Sequence, residues 1–152
     1  MIKKKLIVGA DHAGFELKLI VCEFLKSQGF LFEDLGTDST EPCDYPEVAK
    51  AVCKKVLALE NSLGILICAT GAGISIAANK CTGIRAVCCF ETYTARLARE
   101  HNNANVLCLG SRVLGQGLAL EIIEIFANTP FSEEVRHVRR LVQISEMERD
   151  GR

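Results

Sequence analysis

The sequence predicts an α/β protein: a three-layer Rossmann-like sandwich in which a five-stranded parallel sheet carries helices on both faces, with an extra helix at the C-terminus. Three observations predict it. Short apolar runs and amphipathic stretches trade places along nearly the whole chain with short connections, as parallel strands joined by right-handed helical crossovers require. The run Leu63-Gly64-Ile65-Leu66-Ile67-Cys68 is continuously apolar, which suits a strand buried on both faces at the centre of such a sheet. The 152 residues, 49% of them hydrophobic, suffice for one domain that buries roughly two-thirds of its unfolded surface, so residues 1–152 read as a single domain.

The first strand is expected over Lys5 to Ala10, and Asp11-His12-Ala13-Gly14 turns the chain into a helix from Phe15 to Ser27 that ends at Gly29. Phe30 to Glu33 reads as a second strand. Asp34 to Pro46, dense in glycine, aspartate, threonine and proline, is a loop of functional length, followed by a helix from about Glu47 to Leu59. After the central strand, Ala69 to Gly73 makes a turn into a helix over Ile74 to Lys80. Arg85 to Phe90 and Asn105 to Leu109 are strands flanking a helix from Thr92 to Asn102, and Leu114 to Asn128 is a long amphipathic helix. Thr129-Pro130 breaks the chain before a last helix, about Glu133 to Arg149, too polar for core and suited to packing on a partner subunit.

Charge and cysteine use exclude several function classes. Lysine and arginine number 18 against 19 aspartates and glutamates, so no net field draws nucleic acid or an anionic membrane surface. The basic start, Met1 to Lys5, is followed by too short an apolar run for a secretory signal, and no stretch approaches a membrane span; the expectation is a soluble cytoplasmic protein. Eight cysteines in such a compartment are reduced thiols, mostly small buried side chains. No Cys-x-x-Cys pair occurs, so no zinc or other metal is expected.

Ligands of doubly wound sheets bind outside the carboxyl ends of the strands, where this chain is unusually polar: Asp11-His12, Cys68 to Gly73, Glu91, and Ser111-Arg112. The Gly71-x-Gly73 loop opening a helix is either a tight turn or an anion site built from backbone N–H groups. It lacks the small sixth residue of a dinucleotide fingerprint, Ile76 standing there, and the lysine of a phosphate-cradling loop. No cofactor is therefore expected. Taken alone, Cys68 reads as core before it reads as catalytic, but its place at the strand end against such a loop reverses that and makes it a candidate base, since a helix N-terminus and nearby cations favour a thiolate able to take a proton. Asp11 reads equally as a cap of the following helix and as a catalytic residue. His12 and His101 are ordinary polar histidines or proton shuttles for opening a sugar ring. Arg136 and Arg140, four apart on the last helix, share a face, either as a phosphate clamp or as a solvated surface paired with Glu133 and Glu134. Arg112, after a strand end, matches phosphate oxygens with its fork.

The sequence resembles the type B ribose-5-phosphate isomerases and the two galactose-6-phosphate isomerase subunits over nearly its whole length. The resemblance is carried by Gly9-Ala10-Asp11-His12-Ala13-Gly14, Asp44-Tyr45-Pro46, Gly64 to Gly71, Gly73 to Lys80 and Gly83-Ile84-Arg85-Ala86, and further along by Arg99-Glu100-His101-Asn102, Asn105-Val106-Leu107, Gly110-Ser111-Arg112 and Arg136-His137. It implies conversion of ribose 5-phosphate to ribulose 5-phosphate through an enediolate, without metal or nucleotide. Cys68 would then move a proton between C2 and C1. The backbone of Gly71, Ala72, Gly73, Ile74 and Ser75 would hold the enediolate oxygens while Thr70 relays a proton between them. Asp11 and His101 would open the furanose, His101 coming from the neighbouring subunit of a homodimer with shared active sites, or of a tetramer built from two such dimers. Asn102 would hold the sugar, His12, Arg112, Arg136 and Arg140 the phosphate, and Tyr45 would line the entrance.

Two positions depart from that pattern: Ala69 replaces a common glycine and Ala10 a small polar residue or cysteine. A Cβ at position 69 would strain the loop if a positive φ were needed there. The alternatives to the pentose reading are the same chemistry on allose or galactose 6-phosphate, and a non-catalytic sugar-phosphate sensor, which would need the arginines but no thiol.

Overall fold

The computed structural model describes residues 4–151; the basic start at positions 1–3 lies outside the described residues. Five parallel strands form one sheet: β1 (Lys5–Ala10), β2 (Leu31–Asp34), β3 (Ser62–Cys68), β4 (Ala86–Cys88) and β5 (Val106–Gly110), in the spatial order β2-β1-β3-β5-β4. Among the described residues six helices accompany them: α1 (Phe15–Ser27), α2 (Tyr45–Ala58), α3 (Ala72–Ala78), α4 (Thr92–Glu100), α5 (Gln116–Asn128) and α6 (Val135–Asp150). Among the described residues, no helix is long and apolar enough to cross a membrane.

Alternation of side chains along the strands builds two cores. Leu6, Val8, Ile65, Ile67, Leu107 and Leu109 pack with Val21 and Leu25 of α1, Ala95 of α4 and Ile122 and Phe126 of α5. On the other face Ile7, Leu66, Cys68, Val106 and Cys108 pack with Val52 and Val56 of α2 and Ile74 and Ala78 of α3. Connections that step toward β2 thus cross on one face, and those that step toward β4 cross on the other, as right-handed crossovers demand. The direction reverses between β1, which leads to α1, and β3, which leads to α3. Their carboxyl ends part there and leave the crevice in which ligands of such sheets bind.

Boundaries differ from expectation where glycine and proline intervene. α2 begins at Tyr45, with Pro46 inside its first turn, where a missing N–H costs nothing. Gly71 adopts a left-handed conformation, φ 80°, so α3 starts at Ala72 rather than Ile74. β4 is confined to Ala86–Cys88 because it is an edge strand pairing only with β5.

Candidate active site

The end of β3 is the hub on which the neighbouring loops are hung. The N–H of Asp11 donates to the Ile67 carbonyl at 3.1 Å, that of Ser111 to Cys68 at 2.9 Å and that of Arg112 to Ala69 at 3.0 Å. Ser111 Oγ donates to the Ala13 carbonyl at 2.7 Å, tying the loops after β1 and β5 together. The approach is backbone to backbone: a Cβ on Gly14 would stand 2.5 Å from the Ile67 carbonyl oxygen, and one on Gly110 would stand 2.6 Å from that of Thr70.

Cys68 is 5% exposed, and its sulfur accepts from the Gly71 N–H at 3.1 Å. All eight thiols are free. Burial pushes Cys22 up to about 11 and both Cys53 and Cys89 to about 12, and it raises Cys88 and Cys108 as well, so these five stay protonated at neutral pH.

The N–H groups of the loop are divided. That of Gly71 is taken by Cys68, that of Ala72 by Thr70 Oγ1 at 3.3 Å and that of Ser75 by the Gly71 carbonyl at 3.2 Å. Among the described residues no acceptor reaches the N–H groups of Gly73 and Ile74. These two can serve an oxyanion. Tyr45 packs against Gly73, close enough that a Cβ there would meet its Cζ at 2.8 Å. Position 71 carries the positive φ, and Ala69 does not share it, so the alanine there is accommodated without strain.

Asp11 is 5% exposed, and its Oδ1 accepts from the Gly14 N–H at 3.1 Å. It therefore shapes the turn into α1 whatever else it does. His12 Nδ1 accepts from the Cys43 N–H at 3.2 Å, which leaves Nε2 to carry the ring proton. His12 and Arg112 line a cleft of about 480 Å³ with Glu16, Thr40, Ser111 and Gln116. Glu91, polar at a strand end, is not part of this group: its carboxylate caps α4, accepting from Tyr93 at 2.6 Å and Thr94 at 2.8 Å.

The remaining candidates gather at the opposite edge of the sheet. His101 follows α4 and precedes the amino end of β5, whose rise from Val106 to Gly110 spans roughly 13 Å, and it is Gly110 that lies beside Cys68 in register. Asn102 adjoins His101, and Arg136 and Arg140 lie on α6, whose first turn stacks His137 on His101 with ring centroids 4.2 Å apart. Arg136 pairs with Glu134 at 2.7 Å on an exposed surface. Two further residues shape this edge without having stood out in the sequence. Arg85 Nε donates to the carbonyls of Asn102 and Asn103, both at 3.1 Å. Arg99, 4% exposed, donates to Asn103 Oδ1 at 2.9 Å and to the Ala104 carbonyl. Burial and the Arg85 charge lower Arg99 to about 10, so it still carries its charge at neutral pH.

The family described as Ribose/Galactose Isomerase matches residues 6–144. The chain is similar to ribose-5-phosphate isomerase B of Escherichia coli (strain K12), 47% identical over 145 residues that cover 95% of this chain and 97% of the relative. Among solved structures, ribose-5-phosphate isomerase B of Clostridium thermocellum superposes with a TM-score of 0.94 at 44% identity, covering 97% of this chain and 99% of that one. The Mycoplasma genitalium ribose-5-phosphate isomerase B with bound ribulose-5-phosphate does so with a TM-score of 0.91 at 38% identity, covering 98% and 99%. A parallel sheet with its thiol and free N–H groups at the crevice, matched over nearly its whole length by these proteins, places the chain in the ribose/galactose isomerase family.

Proposed function

We propose that this chain is a ribose-5-phosphate isomerase that interconverts ribose 5-phosphate and ribulose 5-phosphate in the cytoplasm through an enediolate, with Cys68 as the base. The observation that carries the reading is the buried Cys68 sulfur, hydrogen-bonded to the Gly71 N–H beside two unclaimed N–H groups. Identity of 47% to a ribose-5-phosphate isomerase B supports the substrate.

In the open-chain aldose, the thiolate takes the proton from C2. The C2–H electron pair forms the C1–C2 double bond, and the carbonyl pair moves onto O1. Gly73 and Ile74 N–H groups face the developing charge, which such fixed donors stabilise more in the transition state than in the ground state. Thr70 Oγ1 passes the hydroxyl proton from O2 to O1, and the thiol returns its proton to C1. One C–H bond breaks and one forms, with no net redox change. His12 Nε2–H and the Arg112 guanidinium suit the phosphate.

His101, Asn102, Arg136 and Arg140 enter this scheme from a second copy of the chain, with His101 and Asp11 opening the furanose. Their place at the far edge of the sheet supports a homodimer with shared sites, and so does the apolar exposure of α6, where Val135 is 82% and Met147 73% exposed. Pairs of such dimers would give a tetramer.

The experiment is ketose formation from ribose 5-phosphate and from allose 6-phosphate, in chelator, by wild type and Cys68→Ala. Thiol-dependent turnover preferring the pentose is expected. Preference for the hexose would move the substrate assignment, unchanged turnover in Cys68→Ala would sink the base assignment, and turnover of neither sugar would leave a binding protein.

A further inference from the structure

Among the described residues, one buried side-chain polar atom lacks a hydrogen-bond partner: Nε2 of His137, whose residue is 3% exposed. Buried polar groups are rarely left so. The Glu134 carboxylate lies 3.9 Å away, beyond hydrogen-bonding range. What the ring does touch is His101, face to face at 4.2 Å and 12° between planes. Two elements are joined by this contact, since His101 caps the C-terminus of α4 while His137 sits in the first turn of α6. The intervening chain is pinned beside it, Ser132 N–H donating to the Glu100 carbonyl at 3.0 Å. α6 is thereby set against His101 at its start, and against Gly83 near its end, where the Gly83 N–H donates to both Glu148 carboxylate oxygens at 3.1 Å.

The charged and titratable groups facing His137 are His101 from α4 and Arg136, Arg140 and Glu134 from around its own helix. Burial first, then His101 and the two arginines, hold its pKa below the usual 6.5, against the pull of Glu134. At neutral pH the ring is uncharged. An uncharged ring can lie flat on His101 while His101 gives and takes a proton, without two cations meeting.

We infer that His137 is a positioning residue for the ring-opening imidazole: its flat face fixes the plane of His101 and so the direction in which His101 delivers a proton. The inference rests on the proposed role of His101. Opening a furanose breaks the C1–O4 bond and forms the C1=O1 carbonyl, with a proton leaving O1 and one arriving at O4. Delivery to O4 needs donor and acceptor within hydrogen-bond reach, and a freely rotating imidazole meets that condition only part of the time. Abstraction of the C2 proton by Cys68 makes no such demand on His101.

The two steps are separable with 4-deoxyribose 5-phosphate, an aldose phosphate that has no O4 and cannot close a furanose. His137→Ala is expected to lower kcat/KM for ribose 5-phosphate roughly tenfold relative to this analogue, while His137→Phe, which keeps a flat ring, restores the ratio to within about threefold of wild type. An equal fall on both substrates in His137→Ala, an unchanged ratio, or a Phe variant as deficient as the Ala variant would overturn the inference. His101→Asn is run beside them. A ratio shifted in His101→Asn but not in His137→Ala overturns this inference alone, whereas no shift in His101→Asn overturns the ring-opening role as well.

Discussion

Arg85 and Asn103 are joined by a fork: Nε and Nη2 of the arginine donate to the same Asn103 carbonyl at 3.1 and 2.9 Å. Asn103 sits at φ 43°, a conformation that costs a non-glycine residue of order 1 kcal/mol and persists only when its surroundings hold it. The same guanidinium reaches the Asn102 carbonyl, so it braces the loop that presents His101 and Asn102. Arg85→Gln is expected to lower kcat by roughly tenfold with a smaller change in KM, read by steady-state kinetics. Arg85→Lys should recover only part, because an ammonium does not reproduce the fork.

Gly71→Ala tests the loop at Cys68. At φ 80° any Cβ is strained, and this one would stand 2.6 Å from Cys88 Sγ and 3.0 Å from the Leu109 carbonyl carbon. Relief must move the N–H that donates to Cys68. Loss of at least about 100-fold in kcat is expected, with a stability loss of about 1–3 kcal/mol by denaturant titration. Gly73→Ala should be milder, since what its Cβ meets is the Tyr45 ring, and Tyr45→Ala should relieve it in the double variant.

The stacked histidines give stability a pH dependence of defined sign. His137 has a folded-state pKa below 6.5, so in the window beneath 6.5 the unfolded chain binds more protons than the native one, and stability falls as pH drops through it. Above 6.5 the contribution is complete. Thermal melts at pH 7.5 and 5.5 are expected to show this loss, and His137→Phe should lessen it. Equal slopes in both proteins would assign the acid sensitivity to other groups.

Sharing of sites predicts complementation. Cys68→Ala and His101→Asn chains, each nearly inactive, are expected on mixing through a refolding step to recover about a quarter of wild-type activity, because half of randomly paired dimers are mixed and each mixed dimer holds one intact site. The double variant mixed with either single variant should recover none. Absence of recovery in the first mixture, with mixed dimers demonstrated by mass, would mean that both residues act within one chain.

Much of this architecture was legible before any coordinates. Strand identity was clear where runs such as Leu63 to Cys68 lie buried on both faces, and the carboxyl-edge group of Asp11, His12, Cys68 and Arg112 followed from element order alone. Less legible were Pro46 inside a helix, since proline reads as a breaker unless its place in the first turn is known, and the placing of β5 between β3 and β4, which local pattern does not encode. Arg85 and His137 stand in the sequence only as parts of longer motifs. Their significance lies in contacts 18 and 36 positions away in sequence, Arg85 to Asn103 and His137 to His101, and no periodicity reports such pairings. Glu91 misled for the opposite reason, its cap role being settled by the two N–H groups that follow it.

If the two groups at opposite edges of the sheet are half-sites completed only by a second copy, the enzyme's own concentration becomes a reactant. Under the shared-site reading, freshly made chains stay silent until two copies meet, and at dilutions below the pairing constant the measured rate should rise with the square of the amount of protein added. A ligand that wedges the pair apart would then silence the enzyme without resembling a sugar at all.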